Sequence, residues 1–266
     1  MKDIIAKIRR KLGIGSLPGY LIIGTQKGGT SSLQQQYLTQ HPDVLRPTTK
    51  EVHYFDLNFE RGSKWYRSHF PVGALVGNKI TGEATPYYLY HPLVPERTHQ
   101  LLPDVKIIVV LRDPVSRAFS HYNMSVRQKN ETEDFEEAIE LEEARINNKE
   151  KKLTLGEISY SSEHQFHSYI ARGRYAQQLE RWFKYYPREQ FLITTSDRLK
   201  AEPEQVASEI FEFLGLKPYR IDKGRKRNVG EYKSKLDPKI KNKLHEYFAP
   251  HNKRLEELIQ KKLNWD

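Results

Sequence analysis

Cysteine is absent from the 266 residues, which excludes disulfides, thiol catalysis and zinc–thiolate sites and is compatible with a reducing compartment. No apolar run approaches the ~20 residues that a membrane-spanning helix needs. The first residues, Met1 to Leu12, are basic and amphipathic but lack the apolar core and the small-residue cleavage site of a secretory signal. They are expected to form a peripheral basic helix over residues 1–18, with at most peripheral membrane contact. Internal repeats and low-complexity tracts are also missing. So is Gly-x-x-x-x-Gly-Lys-Ser/Thr, the phosphate loop of P-loop kinases and hydrolases, and no nucleic-acid-binding motif is present.

What the chain does have is positive charge and an alternating pattern of strands and helices. Lys+Arg number 44 against 34 Asp+Glu, a formal charge of +10, which favours anionic partners. The length suits one large domain. Leu21–Ile23, Val105–Leu111 and Gln190–Thr195 read as strands, and Lys79–Pro86 as a strand running into a loop. Helical segments are expected at Ser31–Gln40, Gly62–Phe70, Leu93–Leu102, Ser168–Tyr185, Pro203–Leu214 and Pro238–Leu263. This alternation predicts an α/β fold, a central parallel sheet flanked by helices, in a single domain spanning 1–266. Residues 127–163, strongly acidic and helical over Glu131–Glu143, read as an exposed helical insertion with a charged break at Asn147–Lys152.

The most informative stretch is Tyr20-Leu-Ile-Ile-Gly24-Thr-Gln26-Lys27-Gly28-Gly29-Thr30-Ser31-Ser32-Leu33. A buried strand runs into a glycine-rich turn, and a hydroxyl-rich helix start follows. Gly28 and Gly29 let backbone N–H groups approach an anion, the helix start faces the same point, and Lys27 adds a mobile charge. A second stretch, Val105 to Tyr122, repeats the strand-to-helix layout. Arg112 follows the strand, Pro114 suits the first helical turn, and Ser120 lies two turns along. An arginine fork and a serine hydroxyl are phosphate donors. Asp113 is a candidate magnesium ligand only if the first loop were a Walker loop, and it is not. Arg117 and His121 read as solvated helix residues.

The order Gln26-Lys-Gly-Gly-Thr-Ser31 resembles the 5′-phosphosulfate loop of sulfotransferases that use 3′-phosphoadenosine 5′-phosphosulfate (PAPS). The spacing from Arg112 to Ser120 resembles their 3′-phosphate site. The resemblance is closest to heparan-sulfate-type, carbohydrate-directed members. It implies a P-loop-like PAPS-binding fold, with PAPS as co-substrate, PAP as product and no metal requirement. Gln26, Lys27, Gly28, Gly29, Thr30, Ser31, Arg112 and Ser120 would then hold the nucleotide. The late Lys223-Gly224-Arg225-Lys226 is similar to a family loop over PAPS, which implies sulfuryl contact for Lys223 and 3′-phosphate contact for Gly224 and Arg225. Lys27 would stabilise the leaving phosphate. For the base, the segment Lys50-Glu51-Val-His53-Tyr-Phe-Asp56 resembles the family's Glu-x-x-Phe-Phe and points to Glu51. His53 is a second candidate, because an imidazole titrates near neutrality. Glu83, in Gly82-Glu83-Ala84-Thr85-Pro86-Tyr87-Tyr88, ranks below Glu51 and departs from the family pattern at Ala84.

The resemblance implies sulfuryl transfer to a hydroxyl or amine, most naturally of a carbohydrate acceptor, with no nucleic-acid partner. Family members in the Golgi carry a membrane anchor, so a bacterial cytoplasmic enzyme is expected. Two other readings stand beside it: a P-loop kinase or hydrolase, for which Lys27 is misplaced, and a non-enzymatic polyanion binder, which the charge permits.

Overall fold

A computed structural model describes residues 12–75, 79–222 and 235–265. Along the chain lie β1 (Tyr20–Gly24), α1 (Thr30–Ser32), β2 (Val44–Leu45), α2 (Tyr54–Leu57), α3 (Gly62–Arg67), β3 (Ile80–Ala84), α4 (Val94–Leu101), β4 (Lys106–Leu111) and α5 (Pro114–Arg127). Then come α6 (Phe135–Glu140), α7 (Glu142–Ile146), α8 (Lys149–Thr154), α9 (Ser162–Phe166), α10 (Tyr175–Phe183), β5 (Phe191–Thr195), α11 (Ser196–Ala201), α12 (Pro203–Phe213) and α13 (Pro238–Ile259). Two compact units result. The first takes in the described residues of Met1–Leu89, Leu93–Leu111 and Tyr185–Arg227, and the second those of Tyr90–Pro92, Arg112–Lys184 and Asn228–Asp266.

The first unit holds a five-stranded parallel sheet in the order β2-β3-β1-β4-β5, flanked by helices. Strand residues alternate between two faces, and both are covered here. Tyr20, Ile22, Ile108 and Val110 pack with Leu33, Leu38, Val206, Ile210 and Phe211 of the helical layer. Leu21, Ile23, Ile107, Val109 and Leu111, on the alternate positions, are equally inaccessible. Continuous apolar runs at β1 and β4 are what a parallel sheet buried on both faces requires.

From β1 the chain moves to one side for β2 and β3, then crosses to β4 and β5 on the other. The carboxyl ends of β3, β1 and β4 therefore open on one edge, at the point where strand order reverses, the usual ligand position in such sheets.

In the second unit, Val115, Ala118, Phe119, Phe135, Ala138, Tyr169, Leu244 and Phe248 form a separate core. Here the acidic region departs from a simple exposed insertion. Its outward residues are exposed, but Phe135, Ala138, Glu142 and Leu153 are buried, and the expected break at Asn147–Lys152 contains the start of α8. The helix expected from Ser168 begins only at Tyr175. Ala171–Gly173 forms a 3-10 turn instead, and a Cβ on Gly173 would lie 2.6 Å from the Phe248 ring. Arg117 and His121, expected on a solvated face, are both fully buried. Among the described residues no helix is long and apolar enough to cross a membrane. Most of the expected N-terminal helix lies outside the described residues.

Candidate active site

At the carboxyl end of β1 the chain folds into a closed turn. The Thr25 N–H donates to the Val110 carbonyl (2.9 Å), and the Gly28 N–H returns to the Thr25 carbonyl (2.9 Å). Lys27 at φ 70° and Gly29 at φ 100° both adopt the left-handed region, which brings successive amides to one side of the chain. Gly28 has no alternative residue type: a Cβ there would sit 2.4 Å from the Val110 carbonyl oxygen. α1 starts directly after Gly29, which offers no capping side chain, so its first-turn donors are left for another acceptor. The cradle therefore suits a phosphate or sulfate group. Gln26 and Lys27 are half-buried, and Thr30 is buried. Beyond Ser32 the helix widens into a π turn (Leu33–Tyr37) and tightens into a 3-10 turn (Leu38–Gln40).

Next to this loop in the sheet, β3 ends in a polar hub. Leu21 pairs with Glu83 and Ile22 with Ala84. Glu83 is fully buried and accepts four hydrogen bonds: from Tyr66 Oη (2.6 Å), Thr85 Oγ1 (2.7 Å), Tyr88 Oη (3.1 Å) and the Val52 N–H (3.1 Å). Burial raises its pKa, and the donated bonds work against that rise. Its four acceptor sites face protein, so Glu83 stands beneath the site as a strut.

The Val52 bond ties Lys50–Asp56 to this edge of the sheet. There His53 takes the left-handed conformation (φ 53°, ψ 40°) and α2 follows at once. Such a turn costs a non-glycine residue about 1–2 kcal/mol, offset here by its bonds. His53 Nδ1 meets Asp56 Oδ2 at 2.7 Å and Nε2 meets Glu51 Oε2 at 3.3 Å. Asp56 is buried and also accepts from the Leu57 N–H (2.8 Å). Burial alone would depress the His53 pKa, but the two carboxylates outweigh it and push it up to about 10. Glu51 is only partly covered. Burial opposes its charge, yet His53 and Lys50, whose Nζ lies 3.1 Å from Glu51 Oε1, hold it below the usual carboxylate range. At neutral pH the arrangement is carboxylate–imidazolium–carboxylate. An imidazolium has no ring lone pair left for another proton, and Glu51 is the ionised carboxylate held between His53 and Lys50. Asp56 is the residue that sequence reasoning assigned no role, although its spacing of three from His53 was visible.

In the second unit, α5 opens at Pro114, and Asp113 accepts from the Ser116 N–H (2.7 Å) as its N-cap. The cap engages Oδ1 of Asp113. Arg112 precedes it, half-buried, with its carbonyl held by Tyr175 Oη (2.8 Å). Ser120 is buried two turns along α5. Lys223, Gly224 and Arg225 lie outside the described residues. The residue before them, Asp222, is clasped by Gln40, which accepts from its N–H (2.7 Å) and donates to its carbonyl (2.8 Å).

The family model described as a sulfotransferase domain matches residues 17–224. The chain belongs to the sulfotransferase family. Among its relatives is the heparan sulfate glucosamine 3-O-sulfotransferase 6 of Homo sapiens, 31% identical over 93% of this chain and 73% of that protein. The membrane-associated sulfotransferase kil1 of Dictyostelium discoideum is 27% identical over 94% of this chain and 66% of its own. A crystal structure of a sulfotransferase from Alicyclobacillus acidocaldarius superposes with a TM-score of 0.73 at 31% identity, covering 94% of this chain and 99% of that one. The sulfotransferase described here is thus an enzyme of the kind its sequence suggested, on the parallel-sheet fold that was expected.

Proposed function

We propose that this sulfotransferase moves the sulfuryl group of PAPS to a hydroxyl or amine of a carbohydrate acceptor by in-line displacement, with Glu51 as the base. The observation that carries the reading is the geometry of the Glu51–His53–Asp56 cluster, in which His53 Nε2 meets Glu51 Oε2 at 3.3 Å and Nδ1 meets Asp56 Oδ2 at 2.7 Å. Sulfuryl transfer needs a deprotonated acceptor for the incoming proton, and Glu51 is the group so poised. His53, already protonated, orients Glu51 and cannot compete for that role.

In this reading the acceptor O–H or N–H gives its proton to Glu51 while its heteroatom attacks sulfur. The bond from sulfur to the 5′-phosphate oxygen breaks, and PAP leaves. Lys27 offsets the charge that builds on that oxygen. Gln26, Gly28, Gly29, Thr30 and Ser31 receive the 5′-phosphosulfate. Arg112 and Ser120 receive the 3′-phosphate, joined by Gly224 and Arg225, while Lys223 meets the sulfuryl group. The carbohydrate class is supported by the glycan-directed relatives and by the positive charge of the chain. The whole of 1–266 is read as one sulfotransferase domain acting in the cytoplasm.

Calorimetric titration with PAP, AMP and ATP in the absence of metal tests the donor site. Tight PAP binding with much weaker AMP and ATP binding is the expected result. A preference for ATP would overturn the PAPS reading.

A further inference from the structure

Two buried side chains outside the reacting groups converge on the turn that carries Glu51. Glu83 accepts the amide on the near side of His53, that of Val52 (3.1 Å). Tyr88 accepts the amide on the far side, that of Tyr54 (2.8 Å), and the next one, that of Phe55 (3.4 Å). The direction of each bond is fixed. The single phenolic proton of Tyr88 goes to Glu83 Oε1 (3.1 Å), which leaves the phenol oxygen only its lone pairs to present to the two amides. Both residues are fully buried, and both come from the chain just at and after β3, whose register with β1 is set by the sheet. Tyr66 and Thr85 complete the shell around the Glu83 carboxylate.

Resting on the assignment of Glu51 as base, we propose that Glu83 and Tyr88 are a positioning pair. They fix the Val52–Phe55 turn to the sheet and so hold Glu51 and His53 in register with the carboxyl edge. The pair touches neither substrate. It acts on the reaction through the left-handed turn at His53, whose carbonyl also accepts from the Asn58 side chain (2.8 Å). A bond network of this kind transmits the rigidity of an interior strand to a segment that is not itself strand-paired.

Tyr88→Phe keeps the ring and removes only the oxygen, so it is the mildest probe. The chain has ten histidines, and the His53 signal is assigned in histidine-labelled spectra by its loss in His53→Gln. In Tyr88→Phe the His53 titration midpoint is expected to fall by about one unit or more as the imidazole leaves its two carboxylates. PAP affinity should stay within about twofold. Transfer to a desulfated heparin acceptor should drop about tenfold or more in kcat, because the base is misplaced. Glu83→Gln, which replaces an acceptor oxygen by a donor, should move His53 the same way. An unchanged His53 midpoint in folded Tyr88→Phe overturns the proposal. So does a loss of PAP affinity that parallels the His53 shift, which would mean general damage to the unit. Glu51→Gln run alongside separates the two readings: full transfer in that variant removes the base assignment, whereas the His53 titration still reports on the turn.

Discussion

His53 is bonded through one ring nitrogen to Asp56 and through the other to Glu51, and this divides the work of the cluster. The imidazolium stays charged through neutrality, while Glu51 stays ionised. Glu51→Gln should lower kcat by about 10²–10⁴-fold, the usual weight of a positioned base, with PAP affinity unchanged by calorimetry; wild-type turnover in that variant would reassign the base. Lys27→Ala should reduce turnover far more than it reduces Tm, because the side chain is half-buried in a loop held by backbone bonds. Arg112→Ala should weaken PAP binding and leave AMP binding nearly as it was. Equal losses for both nucleotides would remove Arg112 from the 3′-phosphate. Glu51, Lys27 and Arg112 could be named as candidates from the sequence, because each sits in a motif of contiguous residues. Asp56, Tyr66 and Tyr88 were not, because their roles depend on contacts made across the fold.

Elements explain why those side chains are where they are. The cradle depends on the close approach of Gly28 to the end of β4, where the Val110 carbonyl leaves no room for a methyl group. Gly28→Ala should destabilise the fold by roughly 1–3 kcal/mol, as overpacking does, and also weaken PAP binding; a chain with parental urea midpoint and parental affinity would contradict the geometry. At α5, Asp113 caps the helix through the Ser116 amide. Asp113→Ala should therefore cost about 1 kcal/mol by urea denaturation, without any change in response to magnesium. β1 and β4 were readable as elements because buried parallel strands are continuous apolar runs. β2, with two residues, leaves no periodicity to detect. α2 was hidden because a left-handed histidine precedes it, and α10 started late because Gly173 is packed against Phe248.

For the whole molecule, the shifted groups make stability depend on pH in a definite sense. His53 has a folded-state pKa of about 10, above its ordinary value near 6.5. Its protonated form therefore stabilises the fold. That contribution is complete below about pH 6.5 and disappears as pH rises through 10. Glu51 works the other way. Its pKa is lowered on folding, so its contribution is present above the ordinary carboxylate value and is lost as acid protonates the folded form. Urea midpoints followed across pH should fall on the alkaline side between about 6.5 and 10, and His53→Gln should flatten that slope. PAP, if it binds the folded chain alone, should raise Tm with concentration by mass action.

Composition and pattern by themselves determined the parallel α/β class, the exclusion of thiol and disulfide chemistry, and the two phosphate-type motifs. These depend on residues close together in the chain, where apolar runs, glycine and helix-start chemistry act locally. Only the tertiary structure supplied the partners and burial of the three candidate bases. Glu51, His53 and Glu83 are near neighbours in chemistry, and the sequence left all three as candidates. Burial and partners separate them: Glu83 is enclosed by four donors, His53 is charged between two carboxylates, and Glu51 is the partly open carboxylate that remains. Proton affinity is set by the charges and dipoles within a few ångströms, and those arrive from β3, α2 and α3 only when the chain has folded.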